Sequence, residues 1–142
     1  MRHNPFTKDK YDEFLILDSI FFSQYKPLYA LGCGSFGKVY CGVNIETNEQ
    51  FAMKFESKDK YEHSLLEQEA QILLYLKGGE GIPDFLSYGY SNKYRILIYE
   101  LLGKSIDMLL DEKPIRKFSI KTVCLLMLQM ICNYNYIIML IN

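Results

Sequence analysis

The sequence has 142 residues, of which 49% are hydrophobic and 23% are charged, a composition typical of a single globular domain. Sixteen basic and seventeen acidic residues give a net charge of -1, so no excess of positive charge indicates a nucleic acid or an acidic membrane as partner. The N-terminal apolar run begins late and is interrupted by Asp18, which argues against a signal peptide.

Hydrophobic patterning begins after a lead-in, residues 1–24, that has no clear period and no role that the sequence assigns. From Leu28 the pattern predicts an antiparallel meander of three strands in "LYALG", "KVYCGVN" and "QFAMKFE", with "IETNEQ" as a polar turn. The next segment, "SLLEQEAQILLYLKGG", has apolar residues at helical spacing and is stopped by Gly78 and Gly79. It predicts a helix over residues 61–77.

Two further strands, "DFLSYGY" and "YRILIYE", are predicted to form a hairpin through "SNK". Residues 105–140 predict a short helix followed by a long one. Three strands, a helix, two strands and then helices indicate an α+β protein built on a five-stranded antiparallel sheet with one packed helix.

The long C-terminal helix raises the question of a membrane anchor, because residues 123–141 are largely apolar over about the length of a membrane span. Gln129, Asn133 and Asn135 lie inside this stretch, and each amide is costly in hydrocarbon. The pattern therefore favours a core helix, with a membrane-anchored module as an alternative.

Three glycines, Gly32, Gly34 and Gly37, form G-x-G-x-x-G inside "LGCGSFGKVY". A dinucleotide-binding loop would open a helix, but the strand pattern "KVYCGV" follows the last glycine. A strand–loop–strand hairpin is the form in which protein kinases cover ATP phosphates, since the missing side chains let backbone N–H groups approach the anion. The "GKS" at 103–105 is no P-loop, because position 98 is isoleucine where that motif needs glycine.

The third predicted strand points alternate side chains to opposite faces of the sheet. Lys54 shares one face with Ala52 and Glu56 and lies beneath the glycine loop, where the small alanine leaves room beside it. A lysine on an exposed strand is usually solvated, so this strand alone leaves both interpretations open. The opposite face, predicted to be core, consists of Phe51, Met53 and Phe55.

The predicted helix places Glu69 within a stripe of apolar side chains, whereas Glu67 points the opposite way, to solvent. An acid in such a stripe is costly unless a cation meets it. We therefore predict an ion pair between Lys54 and Glu69 that holds the lysine against nucleotide phosphates. The alternative is a Glu69 that reaches out to the edge of the stripe. The apolar members of the stripe are Leu65, Ile72 and Leu76.

The glycine hairpin, Lys54 and Glu69 together resemble the N-terminal lobe of a protein kinase, and in particular the casein kinase 1 family. The stretches that resemble motifs of that family are "LGCGSFGKVYCGVNIETNE", "KGGEGIP", "YELLGKS" and "RKFSIKTVCLLMLQMI". The resemblance covers residues 25–137 and implies an ATP-dependent serine/threonine kinase that uses Mg²⁺ and acts on protein substrates. It implies a lead-in over 1–24, an N-lobe and hinge over 25–102, and the start of an incomplete C-lobe over 103–142.

The same resemblance implies an ATP-binding set. Leu31 and Val39 would cap the adenine, with Ala52 on its other side, and the backbone of residues 100–102 would bond the adenine edge as the hinge. Tyr99 matches the gatekeeper, where the family usually has a smaller or unbranched residue, so a narrower back pocket is expected. "FAMK" replaces the kinase V-A-I-K and keeps its alanine and lysine. The full set is Leu31, Gly32, Gly34, Ser35, Phe36, Gly37, Val39, Ala52, Lys54, Glu69, Tyr99, Glu100 and Leu102.

The sequence departs from the family after the long helix. The family continues into H-R-D-x-K-x-x-N and D-F-G, which position the acceptor hydroxyl and hold the metal. Neither motif occurs in these 142 residues, and the last dozen do not resemble the family. We therefore expect a truncated or misassembled kinase chain with no catalytic residue, no metal ligand and no turnover. The alternative is a short non-catalytic module that binds nucleotide or a partner protein.

The cysteines and the long helix add expectations about compartment and partners. The cysteines at 33, 41, 124 and 132 have neither C-x-x-C nor zinc-ligand spacing, which favours reduced, packed thiols in an intracellular protein, cytoplasmic or nuclear. The apolar side chains of 117–140 would have few partners within the chain, which predicts self-association, precipitation or non-specific membrane binding. Those side chains are Val123, Leu125, Leu126, Leu128, Met130 and Ile131.

Overall fold

The centre of the fold is a five-stranded antiparallel sheet. The computed structural model describes residues 16–34, 37–59 and 64–141. The strands are β1 (Tyr25–Gly34), β2 (Gly37–Asn44), β3 (Gln50–Ser57), β4 (Phe85–Tyr90) and β5 (Tyr94–Glu100). Their order in the sheet is β1-β2-β3-β5-β4, so the chain crosses one face of the sheet between β3 and β4. The predicted α+β class and the five-stranded antiparallel sheet are confirmed.

Three helices follow the strands or lie between them within the described residues, and a serine side chain caps the first turn of each. They are α1 (Leu65–Tyr75), α2 (Ile106–Asp111) and α3 (Ile120–Ile141). The side chain of Ser64 caps α1 by accepting the Glu67 N–H at 3.0 Å, and Gly78 follows the helix with a φ of +83°. The short and long helices predicted for 105–140 are confirmed. The helix predicted over 61–77 ends earlier, at Tyr75, and residues 61–63 lie outside the described part of the chain.

One face of the sheet carries an aromatic core. Phe51, Met53 and Phe55 are at most 3% exposed, as predicted for this face. The segment 16–25 covers them, and the ring of Phe21 meets that of Phe55 edge-on at 5.1 Å between centroids. The lead-in therefore has a structural role that the sequence did not indicate, because a few scattered aromatic residues create no hydrophobic period.

The other face of the sheet is covered by α1. Leu66 and Ala70 are 1% and 4% exposed and pack against Leu97 of β5, whereas Leu65 and Ile72 are 42% and 57% exposed. The predicted orientation of α1 about its own axis was therefore wrong by about one residue, which is about 100° of rotation. Apolar side chains cover more than one side of α1, so spacing alone could not decide its phase, and the small Ala70 settles it by close approach to the sheet.

The last helix, α3, meets the rest of the chain near its C-terminal end. The ring of Tyr136 lies against Gly79, where an added Cβ would come within 2.3 Å of a ring atom. Asn133 lies against Gly81, which has a φ of +75°. Of the side chains predicted to lack partners, Leu126 is half-buried, and the other five are exposed. Within the described ranges, none of the helices has both the length and the apolar character that a membrane crossing requires.

The cysteines differ from the expectation of packed thiols. Cys41 is buried, but Cys33, Cys124 and Cys132 are exposed, and all four are free. The reason is their position, since Cys33 lies at the open end of β1 and the other two lie on the exposed surface of α3.

Candidate functional site

Lys54 lies in the middle of the sheet and points to the side on which α1 packs. Its register partners are Val39 on β2 and Leu97 on β5. Its Nζ lies 2.5 Å from the Oε2 of Glu69, in the second turn of α1. The predicted ion pair is therefore confirmed, although Glu69 approaches from beside the buried stripe of α1 and not from its centre.

The Lys54–Glu69 pair stays partly open to solvent. The side chains of Lys54 and Glu69 are 19% and 39% exposed. Ion pairs that keep contact with water contribute only about 0.2–1 kcal/mol to stability. The main effect of this pair is therefore to position Lys54, because it holds the ammonium group at a fixed place on the sheet.

The glycine hairpin consists of β1 and β2, and β2 pairs with the strand that carries Lys54. Gly34 and Gly37 are the last register partners of β1 and β2. Gly37 has a φ of +134°, and a Cβ added there would lie 2.3 Å from the carbonyl oxygen of Phe55. At Gly32, by contrast, an added Cβ would meet nothing within 4 Å. Gly37 is therefore required by the backbone itself, whereas Gly32 leaves open space above the strand.

The small Ala52 completes this surface. It is 3% exposed and lies between Cys41 on β2 and Tyr99 on β5 in the register of the sheet. Ala52 and Lys54 point to the same face, and Val39 lies beside Lys54 on the neighbouring strand. This face of the sheet therefore places a half-buried apolar side chain, Val39, directly beside the cation of Lys54.

A family model of the protein kinase domain matches residues 25–138. The chain belongs to the protein kinase family. The sheet and α1 correspond to the N-lobe of the kinase fold, and α2 and α3 correspond to helices of its C-lobe. Kinases use ATP and Mg²⁺ in general and transfer the γ-phosphoryl group to protein hydroxyls.

The predicted gatekeeper of this kinase chain, Tyr99, stands at the contact between the sheet and α1. Its ring packs against the cluster of Leu66, Ala70 and Leu97. Burial raises the pKa of the Tyr99 hydroxyl, and the nearby carboxylate of Glu69 raises it further. The phenol is therefore held neutral beside the ion pair.

The segment predicted as the hinge begins at the end of β5. The N–H of Glu100 donates to the carbonyl of Asp84 at 2.9 Å, and its Oε2 accepts the N–H of Asp84 at 3.2 Å. Leu102 is 55% exposed, and Leu31 is 48% exposed on β1. Of the predicted adenine-side residues, Leu31 and Leu102 are therefore accessible, Val39 is half-buried and Ala52 is buried.

Two predicted site residues, Ser35 and Phe36, lie outside the described residues. Among the residues that are described, no group of three or more His, Cys, Asp or Glu side chains could hold a metal ion. The kinase metal ligands belong to the catalytic loop and to D-F-G, and neither motif occurs in this sequence. The described residues therefore do not fit a Mg²⁺ site.

Sequence reasoning missed a buried polar cluster next to this site. Glu56 is 1% exposed, and its Oε2 accepts hydrogen bonds from Ser64 Oγ at 2.7 Å and from Arg95 Nη1 at 3.2 Å. Its Oε1 accepts the N–H of Leu66 at 3.2 Å. The signals were present, because Glu56 and Arg95 are cross-strand partners and Ser64 has the residue type of a helix N-cap.

Proposed function

We propose that residues 25–102 form the ATP-binding N-lobe and hinge of a casein kinase 1-like serine/threonine protein kinase, with 103–142 as the start of its C-lobe. The observation that carries this proposal is the contact of 2.5 Å between Lys54 and Glu69, with Lys54 paired in register to Val39 of the glycine hairpin. A lysine fixed by a glutamate on a sheet that is capped by glycines is suited to hold the phosphates of a nucleotide.

The adenine would lie against the apolar side of this surface. Leu31 and Val39 would cap the base, with Ala52 on its other side. Because the N–H of Glu100 is already donated to Asp84, the hinge would bind the adenine edge through the carbonyl of Glu100 and the N–H of Leu102. This arrangement gives recognition of a purine edge by the backbone.

The back of the pocket would be closed by Tyr99. Its ring packs on the α1 side of the sheet, in the cluster that contains Leu66 and Ala70. A ligand group that extends past the adenine would therefore meet the phenol. We infer a preference for nucleotides without bulky substituents on that side.

The phosphates would be bound by Lys54 and by the backbone of the glycine hairpin, residues 32–37. The open space at Gly32 supports a close approach of the anion to the main chain. Ser35 and Phe36 belong to the proposed set as the tip of the hairpin.

The casein kinase 1 assignment is supported by family-like motifs, one of which packs against α3. "KGGEGIP" spans residues 77–83, and two of its glycines lie against Tyr136 and Asn133 of α3. The segment therefore joins α1 to the first long helix of the C-lobe. Two further family-like stretches follow in the expected order, "YELLGKS" over residues 99–105 and "RKFSIKTVCLLMLQMI" over residues 116–131.

These 142 residues would bind nucleotide without transferring phosphate, because the groups that orient the acceptor and hold Mg²⁺ are not among them. A non-catalytic module that binds nucleotide or a partner protein is the second candidate, and the same missing motifs favour it. In both cases we propose an intracellular location, cytoplasmic or nuclear, where ATP is present and thiols are reduced.

The test is a titration of the purified chain with ATP, followed by thermal unfolding. We expect a small rise in melting temperature that Lys54→Ala abolishes. Lys26→Ala, which removes an exposed lysine from β1, is the matched control and should keep the rise. An equal response of both variants would show that ATP does not bind at Lys54 and would remove the basis of the proposal.

A further inference from the structure

The buried carboxylate of Glu56 joins three parts of the chain at the start of α1. Its donors are the N-cap side chain of Ser64, the N–H of Leu66 and the guanidinium of Arg95 on β5. We call these four residues the Glu56 clamp. Burying a carboxylate is costly unless several donors meet it, and three donors from the described residues meet this one.

The Glu56 clamp is built more firmly than the ion pair beside it. Glu56 is 1% exposed, and the Arg95 side chain is 15% exposed, whereas the Lys54 and Glu69 side chains are 19% and 39% exposed. Hydrogen bonds to a charged group are roughly twice as strong as neutral ones. A carboxylate at a helix N-terminus is stabilised further by the helix dipole.

The Glu56 clamp also lies close to Glu69 along α1. Leu66 precedes Glu69 by three residues, which corresponds to a rise of about 4.5 Å, less than one turn. A helix that keeps its bonds to Glu56 cannot slide or swing at this end without breaking them. The position of Glu69 is therefore set by a buried anchor, and its attraction to Lys54 acts on a helix already in place.

We propose that Glu56 is a positioning residue that holds α1 in the orientation in which Glu69 contacts Lys54. Its effect on nucleotide binding rests on the proposed function, since Lys54 is aimed at phosphates only while Glu69 holds it. Loosening the Glu56 clamp would then weaken ATP binding although no clamp residue touches the nucleotide. The Glu56 clamp would thus keep α1 in the orientation in which Glu69 contacts Lys54, without the need for a bound regulator.

The test uses the full chain and two readouts, hydrogen exchange of the amides in 65–75 and affinity for ATP. Glu56→Gln keeps the shape of the side chain but removes its charge and one acceptor oxygen. We expect exchange in α1 to accelerate about tenfold and ATP affinity to fall about tenfold, the effect of losing one charge-assisted hydrogen bond. Glu46→Gln, an exposed acid in the turn after β2, is the control and should change neither.

A double variant separates positioning from general stability. In a Glu69→Gln background, Glu56→Gln should lower ATP affinity no further, because the Glu56 clamp acts through Glu69. Losses that add would overturn the proposal, and so would unchanged exchange of α1 in Glu56→Gln. Ser64→Ala removes a single donor and serves for the same comparisons where Glu56→Gln does not fold.

Failure of the proposed function has a different signature. In that case the unmodified chain would not bind ATP, while Glu56→Gln would still accelerate exchange in α1. The two readouts together therefore assign any negative result to one proposal or the other.

Discussion

The carbonyl oxygen of Phe55 lies so close to Gly37 that a Cβ on that glycine would come within 2.3 Å of it. Gly37 also has a φ of +134°, a backbone conformation that side chains rarely adopt. The end of the glycine hairpin is thus packed directly on the backbone of β3, the strand that carries Lys54. The glycine that closes the hairpin therefore has a structural function, independent of any ligand.

Gly37→Ala should lower the free energy of unfolding by about 1–3 kcal/mol, because the methyl group strains the backbone and pushes β2 from β3. Gly32→Ala is the matched control, since its Cβ would meet nothing within 4 Å, and it should leave the unfolding free energy nearly unchanged. Urea denaturation of both variants measures the difference. Equal stabilities would mean that the hairpin has room to shift at Gly37.

The sheet and its central ion pair were predictable because local rules agree with the tertiary structure there. Strand alternation placed Lys54 opposite the Phe51–Phe55 face, and that face is buried. The phase of α1 was not predictable, since Leu65 and Leu66 are equally apolar and only the contact with the sheet chooses between them. The role of 16–25 depends on aromatic contacts with residues distant in sequence, which no local period encodes.

The pKa of Tyr99 predicts a specific loss of stability at alkaline pH. Burial, and then the charge of Glu69, raise this pKa above the value of 10.0 for an exposed phenol. Above pH 10 the unfolded chain loses this proton while the folded chain keeps it, so the folded state binds more protons and stability falls as pH rises. The loss continues until the pH passes the pKa of the folded state.

Tyr99→Phe should therefore make the decline of the unfolding free energy above pH 10 less steep, and a part of it should remain because burial also raises the pKa of Tyr88. Urea denaturation at a series of pH values from 8 upward measures it for both chains. Tyr134→Phe removes a phenol that is 63% exposed on α3 and should leave the decline as it is in the unmodified chain. A decline as steep in Tyr99→Phe as in the unmodified chain would assign the alkaline sensitivity to other groups.

Phe21 should contribute to stability although it lies in the lead-in. Its ring packs edge-on against Phe55 and covers the aromatic core. Phe21→Ala should lower the unfolding free energy by about 1–3 kcal/mol, the value of burying an apolar side chain of this size. Ile20→Ala, at a neighbouring side chain that is 54% exposed, is the control and should change it by much less. Similar losses for the two variants would contradict the role assigned to the segment.

Magnesium should add little to nucleotide binding by these 142 residues. Since no described cluster of acids or histidines could hold a metal ion, ATP with and without Mg²⁺ should raise the melting temperature by similar amounts. We also expect these 142 residues not to phosphorylate casein, because they contain neither H-R-D nor D-F-G. A strong Mg²⁺-dependent shift, or transfer of labelled phosphate to casein, would contradict this expectation.

Self-association should be governed by the exposed surface of α3. A groove of 650 Å³ between α1 and α3 is lined by Gln68, Gln71, Ile72, Tyr75, Leu76 and Ile137. Exposed apolar patches of more than a few hundred Å² usually lead to association. The most exposed large apolar side chains of α3 include Leu125, Met127, Leu128, Met130 and Ile131, each at least 54% exposed.

We expect the full chain to elute from a size-exclusion column as oligomers or to precipitate, because burying several such side chains outweighs the entropy of association. Replacing Leu128 and Ile131 by lysine should shift the chain towards the monomer. A shortened chain of residues 1–104 should associate and precipitate less than the full chain. It must retain residues 16–25, because that segment covers the core face of the sheet. A monomeric unmodified chain at high concentration would mean that the apolar surface of α3 does not drive association.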